Sequence, residues 1–291
     1  MKKTLSVIIV TYNSERLIFD CLDSIFQFNN IGHSLEVIIV DNNSNDQENV
    51  FESIRNKYPK DDVKLIKNPI NGGYGNGNNI GVLHSTAEYI IIMNPDVRII
   101  YPIFQNIISR FKNNRKIGML GVTFADNSCP LYFKPEYITL FNIFFFKIYV
   151  NLHLFNMKKM YMSGSFLIFP KKIFIDAGSF DENIFLFYEE ADISNRILKI
   201  NKNLVLAHDI EVYHLTHDRN YNERLASYEL KSLLYYSSKY RLDHKKIINT
   251  YLLNFKIKYF VAYITNNSFK KELFLNWIKL ISNNHKNNNL K

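Results

Sequence analysis

Cysteine is scarce, with Cys21 and Cys129 the only two in 291 residues. Two thiols are too few for a disulfide scaffold or a zinc cluster, and such usage fits a reducing, cytoplasmic setting. The opening Met1-Lys2-Lys3 leads into a short apolar run that ends at Thr11-Tyr12-Asn13 with no small-residue cleavage site behind it. No signal peptide is expected there. An uninterrupted apolar stretch of about 20 residues is also missing. The nearest, Tyr137 to Phe155, is broken by Asn142, Lys147, Asn151 and His153. The densest glycine cluster, Asn71-Gly-Gly-Tyr-Gly-Asn-Gly-Asn-Asn-Ile-Gly81, satisfies G-x-G-x-x-G at no register and lacks the Lys-Ser/Thr of a P-loop. Dinucleotide dehydrogenases and P-loop NTPases are therefore disfavoured.

What is present is apolar mass and an uneven charge. Hydrophobic residues make up 47% and charged ones 22%, enough for a sizeable core and too apolar for wholesale disorder. The net charge of +9 belongs to the tail, since Lys231 to Lys291 holds 12 Lys/Arg against 2 Asp/Glu and the preceding residues come to about −1. A basic tail suits nucleic acid or an anionic membrane surface. Its lysines alternate with Tyr, Leu, Phe and Ile, as in the run from Tyr251 to Phe260, which suits a helix lying among lipid headgroups. The competing reading is a helix packed on the body with solvated lysines. The nearly neutral body argues against a nucleic-acid binder.

The first hundred residues alternate strand and helix. Leu5 to Thr11, Leu35 to Val40, Val63 to Lys67 and Tyr89 to Met93 are apolar, β-branched runs with little polar alternation. Such runs predict strands buried on both faces, hence a parallel sheet covered by helices. Ser14 is placed to cap a helix through Phe28 with an apolar stripe at Leu17, Cys21, Leu22, Ile25 and Phe26. A second helical pattern runs from Asp46 to Tyr58. Further helices are expected over Tyr101–Phe111, Lys171–Ala177 and Tyr188–Ile200, with strands over Ile117–Thr123, Gly164–Phe169 and Leu204–His214. The Phe-rich stretch from Tyr132 to Met162 fits no pattern, and the chain beyond Tyr221 reads as helical to about Ser282. The division expected is a body over 1–220 and a basic helical extension over 221–291.

In a doubly wound sheet ligands bind beyond the carboxyl ends of the strands. Those ends carry Thr11-Tyr12-Asn13, Asp41-Asn42-Asn43-Ser44 and Asn94-Pro95-Asp96. Each could simply start a turn or cap a helix; together they point to one pocket. Glycines of the 71–81 segment would let backbone approach a ligand, or serve only as a loop entering a helix. Asp96, just past a buried strand, is a candidate cation ligand, and His214, closing a strand-like segment, could complete the site. Glu189, Glu190 and Asp192 start a helix in which Asp192 and Arg196 are an i,i+4 pair. Glu190, about 100° around the helix from Glu189, is a candidate general base. Favourable acids in a first turn are the plainer alternative. His217 is a loop candidate.

These motifs resemble the family 2 glycosyltransferases. The resemblance rests on Ser6-Val-Ile-Ile-Val-Thr-Tyr-Asn-Ser, Val40-Asp-Asn-Asn-Ser, Asn71-x-Gly-x-x-x-Gly-Asn-Asn-x-Gly, Asn94-Pro-Asp-Val, Gly178-Ser-Phe-Asp-Glu and Phe187-Tyr-Glu-Glu-Ala-Asp-Ile-Ser-Asn-Arg, in that order over residues 4 to 217. Within the family the chain is most similar to rhamnosyltransferase-like enzymes of bacterial cell-surface polysaccharide synthesis. The resemblance implies an α/β GT-A fold, with a Rossmann-like, mostly parallel central sheet flanked by helices and a C-terminal helical extension. It implies inverting transfer from a nucleotide-sugar donor, with L-rhamnose from dTDP-rhamnose first in line, to a lipid-linked oligosaccharide at the cytoplasmic membrane face.

The implied roles follow the motifs. Thr11, Tyr12, Asn13 and Asp41 would surround the nucleoside with Asn43 close by, and Asn71, Gly73 and Asn78 would line the nucleotide-sugar cleft. Asn94 and Asp96 stand at the family's Asp-x-Asp motif, with Asp96 and His214 as ligands of Mg²⁺ or Mn²⁺. Glu190 matches the base, and Asp181 and Glu189 lie on the acceptor side. Two departures stand out: Asn94 replaces the first acid of the metal motif, and Glu190 replaces the more usual aspartate. The last change leaves the choice between Glu189 and Glu190 open. Competing readings are a donor such as a UDP-hexose or UDP-galactofuranose, and a non-catalytic nucleotide-sugar-binding protein.

Overall fold

Strand formation follows the apolar runs. Val, Ile and Leu fill β1 (Leu5–Thr11), β2 (Leu35–Asp41) and β4 (Tyr89–Met93), with the shorter β3 (Val63–Lys67) between the last two in sequence. Almost every residue of β1, β2 and β4 is buried, as parallel strands covered on both faces require. The computed structural model describes residues 3–58, 61–126, 128–152, 154–215 and 221–288; His217 lies outside them. The remaining strands are β5 (Val97–Arg98), β6 (Ile117–Phe124), β7 (Leu131–Phe133), β8 (Met160–Met162), β9 (Phe166–Pro170) and β10 (Asn203–His214). The main sheet has eight strands in the order β3-β2-β1-β4-β9-β6-β10-β5.

The sheet is parallel through β3, β2, β1 and β4 and again between β6 and β10. Two inserts run the other way. β9 is antiparallel to both β4 and β6, and the two-residue β5 is antiparallel to β10. A mixed α/β architecture of the expected kind is thus present, with β9 and β5 as its antiparallel strands. The helices are α1 (Glu15–Gln27), α2 (Gln47–Lys57), α3 (Gly73–His84), α4 (Phe104–Asn113), α5 (Leu140–Asn151), α6 (Lys171–Asp176), α7 (Glu189–Lys199), α8 (Glu223–Lys239), α9 (His244–Ile264) and α10 (Ser268–Asn288).

α1 buries Ile18, Cys21, Leu22 and Ile25, and α4 buries Phe104, Ile107, Ile108 and Phe111. Each such side chain contributes roughly 1.5–3 kcal/mol when fully removed from water. Ser14 does not cap α1 with its side chain; its hydroxyl donates back to the Tyr12 carbonyl instead. The glycine-rich segment is mostly helix rather than loop. α3 has poor intrinsic propensity, about 1 kcal/mol lost per glycine relative to alanine. Its glycines permit contact that a larger residue would forbid: a Cβ on Gly81 would lie 2.4 Å from Ile8 Cγ2 on β1.

Two units emerge from the packing. The first comprises Met1–Tyr132, Phe155–Phe185 and Glu189–Thr216 and contains the whole eight-stranded sheet. The second comprises Phe133–Leu154, Leu186–Tyr188 and His217–Lys291. The Phe-rich stretch resolves into α5, whose Phe146 and Tyr149 rings pack on Phe133 at 5.9 and 5.5 Å. In the same unit Phe255 of α9 stacks on Trp277 of α10 at 4.9 Å, and Tyr188 and Tyr251 share a 2.7 Å hydroxyl contact. Asn222 and Asp243 cap α8 and α9 with their side chains. No helix among the described residues is long and apolar enough to cross a membrane.

Candidate functional site

The carboxyl ends of β1 and β2 are tied together by Asp41. Thr11 Oγ1 donates to Asp41 Oδ2 at 2.9 Å, Ser44 donates its amide to Oδ1 at 2.8 Å and its hydroxyl to Oδ2 at 2.6 Å, and Gln47 Nε2 donates to Oδ1 at 2.6 Å. The in-register pairing Thr11↔Asp41 sets up the first of these. Asn13 closes the same corner: its amide donates to Ser44 Oγ, and its Oδ1 accepts from the Asn45 amide. Asn13 and Asn43 take φ of 50° and 65°, a left-handed conformation that asparagine tolerates better than most residues. Tyr12 stands beside them, 46% exposed.

One layer deeper lies a ladder of amides. Asn42 Nδ2 donates to the Gly73 carbonyl, and Asn68 Nδ2 donates to both Asn42 Oδ1 and Asn76 Oδ1. Asn71 Oδ1 accepts the Gly73 amide. Gly73 has φ +87°, and a Cβ there would come within 2.2 Å of the Phe185 carbonyl oxygen, so only glycine fits. Asn78 is buried, donating to the Tyr74 carbonyl, while its Oδ1 has no hydrogen-bond partner among the described residues.

Past β4 the chain forms the second corner. Register places Met93 opposite Phe166, and the Asn94 amide continues the ladder to the Ser165 carbonyl at 2.9 Å. His214 pairs with Val97 across β10 and β5, which brings its imidazole beside Asp96; Nε2 lies 3.6 Å from Asp96 Oδ1. The Leu215 amide also donates to the Asp96 carbonyl. The imidazole and the carboxyl are both largely buried, at 11% and 15% side-chain exposure. Ser128 Oγ donates to Asp126 Oδ1 at 2.8 Å, so towards His214 Nδ1, 3.3 Å away, it acts as acceptor. Nδ1 therefore carries the proton, and Nε2 turns towards Asp96 and the Ser165 hydroxyl.

A carboxylate oxygen and an imidazole nitrogen presented side by side form a suitable donor pair for Mg²⁺ or Mn²⁺. An imidazole held by its other nitrogen is the usual arrangement of a metal-binding histidine. No group of three or more His, Cys, Asp or Glu able to hold a metal occurs among the described residues. The rest of a coordination shell would come from ligand oxygens and water.

The third corner is the start of α7. Glu190 Oε1 accepts the Gly164 amide at 3.0 Å, and a Cβ on Gly164 would sit 2.2 Å from that oxygen. Tyr74 donates its hydroxyl to the Gly164 carbonyl at 2.6 Å, so both sides of the Gly164 residue are held. Burial pushes the Glu190 carboxyl up to about 7. Glu189 is 2% exposed, its Oε2 has no hydrogen-bond partner among the described residues, and burial with the charge of Glu190 pushes it well above the usual carboxylate range. Just before this pair, Phe187 and Tyr188 take φ of 71° and 70°, strained for non-glycine residues by about 1–3 kcal/mol each. Further along α7, Asp192 and Arg196 form the expected pair at 2.7 Å, and Arg196 also donates to the Ala177 carbonyl.

Tyr74 links the corners. Burial and then the carboxylates of Glu190, Glu189 and Asp96 hold its hydroxyl far above the ordinary tyrosine range. Asp181 belongs to a different arrangement: its Oδ1 accepts the amide and Nδ2 of Asn183 within its own turn. Its neighbour Glu182 instead reaches the α3 amides of Asn76 and Asn79. Tyr74, Gly164, Ser165, Ser128, Asn68 and Gln47 were not singled out from the sequence. Tyr74 had a signal, lying inside the glycine motif; Gly164 and Ser165 gained meaning only when β9 was seen beside β4.

A mixed sheet with polar corners at the carboxyl ends of its strands defines an α/β fold with one candidate site at that edge. The model of glycosyl transferase family 2 matches residues 6–178, more than half of the chain, and the chain belongs to that family. A hexosyltransferase of low-salt glycan biosynthesis from Haloferax volcanii is 25% identical over 226 residues, covering 74% of this chain and 68% of the relative. A poly(ribitol-phosphate) beta-glucosyltransferase from Bacillus spizizenii is 33% identical over 94 residues, 32% of this chain and only 14% of that protein. In fold, a mannosyltransferase from Pyrobaculum calidifontis solved with GDP-Man and Mn²⁺ superposes with a TM-score of 0.63 at 15% identity, over 98% of this chain and 87% of the other. S. aureus TarS residues 1-349, solved with UDP, gives 0.53 at 14% identity over 98% and 92%. The protein is a family 2 glycosyltransferase with a GT-A fold.

Proposed function

We propose that the enzyme transfers a hexose, with inversion, from a nucleotide-sugar donor to a lipid-linked glycan acceptor at the cytoplasmic face of a membrane. The observation that supports this most is geometric: Glu190 Oε1 and the Tyr74 hydroxyl hold the two sides of Gly164, and the next residue, Ser165, meets the His214 imidazole beside Asp96. Glu190 takes the proton of the acceptor hydroxyl as that oxygen bonds to the anomeric carbon. The bond from the anomeric carbon to the diphosphate oxygen breaks, and its electron pair leaves with the nucleoside diphosphate. Burial that raises the carboxyl towards neutrality suits a general base. One displacement of this kind needs no protein nucleophile.

Asp96 and His214 would hold Mg²⁺ or Mn²⁺, which when bound neutralises charge on the departing diphosphate. The Asp41 corner, with Thr11, Tyr12, Asn13 and Asn43, receives the nucleoside; Asn71, Gly73, Asn78 and Asn94 border the donor; Glu189 and Asp181 lie towards the acceptor. Asn94 in place of an acid leaves one charge fewer near the cation. The donor first in line is dTDP-L-rhamnose, on the likeness of the motifs. A UDP-hexose is the second reading, favoured by the glucosyltransferase relative and by the UDP-bound fold neighbour.

Thermal stabilisation by dTDP, UDP and GDP, each with and without Mn²⁺, tests the reading and sorts the donors. A ligand at 100 times its Kd raises stability by roughly 2.7 kcal/mol. A metal-dependent rise in Tm with one nucleotide is expected, followed by sugar transfer with inverted anomeric configuration. Stabilisation by none of the three, together with no transfer, would leave a non-catalytic protein instead.

A further inference from the structure

The second unit leaves apolar surface in water on two helices. On α5, Phe141, Phe144 and Ile148 are exposed, Phe144 to 80%. At about 100° per residue these three share one face of the helix. Phe146 and Tyr149 point the other way, into the contact with Phe133. Leu152 and Leu154 extend the exposed apolar stretch beyond the helix end.

α9 repeats the arrangement over a longer span. Its inner face buries Ile247, Ile248 and Ala262. On the opposite face Leu253, Ile257, Phe260 and Ile264 are exposed at spacings of four, three and four. A helix apolar on both faces needs cover on both, and among the described residues the outer stripe stays exposed. α5 and α9 are in contact.

The surroundings are strongly basic. The second unit carries 16 Lys/Arg against 6 Asp/Glu, a net +10. Lys245, Lys246 and Lys256 on α9 are exposed along or beside its apolar stripe. A second copy docking on this surface would bring +10 against +10. An anionic lipid surface supplies both what the stripes need and what the lysines need: acyl chains for the rings, phosphate oxygens for the ammonium groups.

We propose that the outer stripes of α5 and α9 insert into the headgroup region of an anionic bilayer and seat the second unit on it. The proposal rests on the reading that the acceptor is lipid-linked, and it names the surface that would bring enzyme and acceptor together.

The test is flotation of the full chain with vesicles of phosphatidylcholine alone or mixed with phosphatidylglycerol, without donor or acceptor. Binding to the mixed vesicles, weaker to the neutral ones and reduced by salt, is expected. The double variant Phe144→Asn, Phe260→Asn should keep its Tm, since both side chains are exposed, yet partition roughly tenfold less or worse. Triple replacement of Lys245, Lys246 and Lys256 by Gln should weaken binding to anionic vesicles only. Equal flotation of wild type and the aromatic double variant would overturn the proposal, as would no flotation of wild type. Dimerisation of wild type without vesicles, lost in the double variant, would assign the stripes to a second copy. None of these readouts involves sugar transfer, so failure here and failure of the transferase reading are recorded separately.

Discussion

The first unit carries 20 Lys/Arg against 21 Asp/Glu, close to neutral, while the second carries +10. Charge is used differently in each. In the first, polar groups meet at hydrogen-bonding distance: Asp41 accepts four such bonds, and Glu190 leans on one backbone amide. Interactions of that kind are short-ranged and geometric. In the second, exposed lysines surround apolar helix faces, and their summed field acts over a Debye length, about 8 Å at physiological salt. On the proposed reading, chemistry and membrane seating fall to separate units, and changes in one should leave the other's readout alone.

The largest expected effect is Glu190→Gln. Loss of a general base costs roughly 10²–10⁴ in rate, so transfer should fall by that factor while vesicle flotation stays unchanged. Glu189→Gln decides the remaining ambiguity between the two acids. Glu189 is more deeply buried than Glu190, and its Oε2 has no hydrogen-bond partner among the described residues, whereas Glu190 is held by the Gly164 amide, so its replacement should cost far less. Kinetics on both variants check this; a greater loss in Glu189→Gln would reverse the assignment.

Gly164→Ala comes next. The added carbon would meet Glu190 Oε1 at 2.2 Å, so either the carboxylate or the loop must shift. A displacement of about 1 Å at a reacting group costs on the order of 10²-fold. A lower kcat with little change in donor KM is expected, because the Asp41 corner is untouched. Tyr74→Phe, which removes only the hydroxyl that fixes the Gly164 carbonyl, should produce a smaller drop of the same sign. Unchanged kcat in Gly164→Ala would show that Glu190 is not the base.

Much of this was legible from residue order. The apolar runs of β1, β2 and β4 marked a buried parallel sheet, and Thr11, Asp41 and Asp96 at their ends marked one edge as the candidate site. What could not be read is what register and insertion create. β9 enters antiparallel between β4 and β6, and only that places Ser165 against Asn94 and Gly164 against Glu190. Likewise His214 reaches Asp96 because two residues, Val97 and Arg98, turn back along β10. The glycines of α3 read as a loop because propensity disfavours glycine in helices; tight seating on Ile8 overrides that preference. In α5 the aromatic residues lie on both faces, so no period pointed to a helix, and the cause of that pattern is the exposed stripe itself.

The smallest effect is a pH slope that both units share. Glu190 is raised to about 7 by burial, against an ordinary glutamate value of 4.5. Between those values the folded state keeps a proton that the unfolded state has released. Stability contributed by this group is therefore greatest at low pH and declines as pH rises through the window, with the full loss reached above about 7. Activity runs the opposite way, since the ionised base accumulates over the same range. Glu229 of α8 is also raised to about 7 by burial, with Lys258 opposing the shift, so it adds a slope of the same sign in the second unit. Measuring Tm between about pH 5 and 8 should show Glu190→Gln and Glu229→Gln each flattening the decline, Glu189 leaving a residual slope because burial and Glu190 raise it too. Of these two variants only Glu190→Gln should lower transfer, by the factor given above. If Glu229→Gln did so as well, the division of chemistry from the second unit would be broken, and α8 would have to be counted among the elements that support the base.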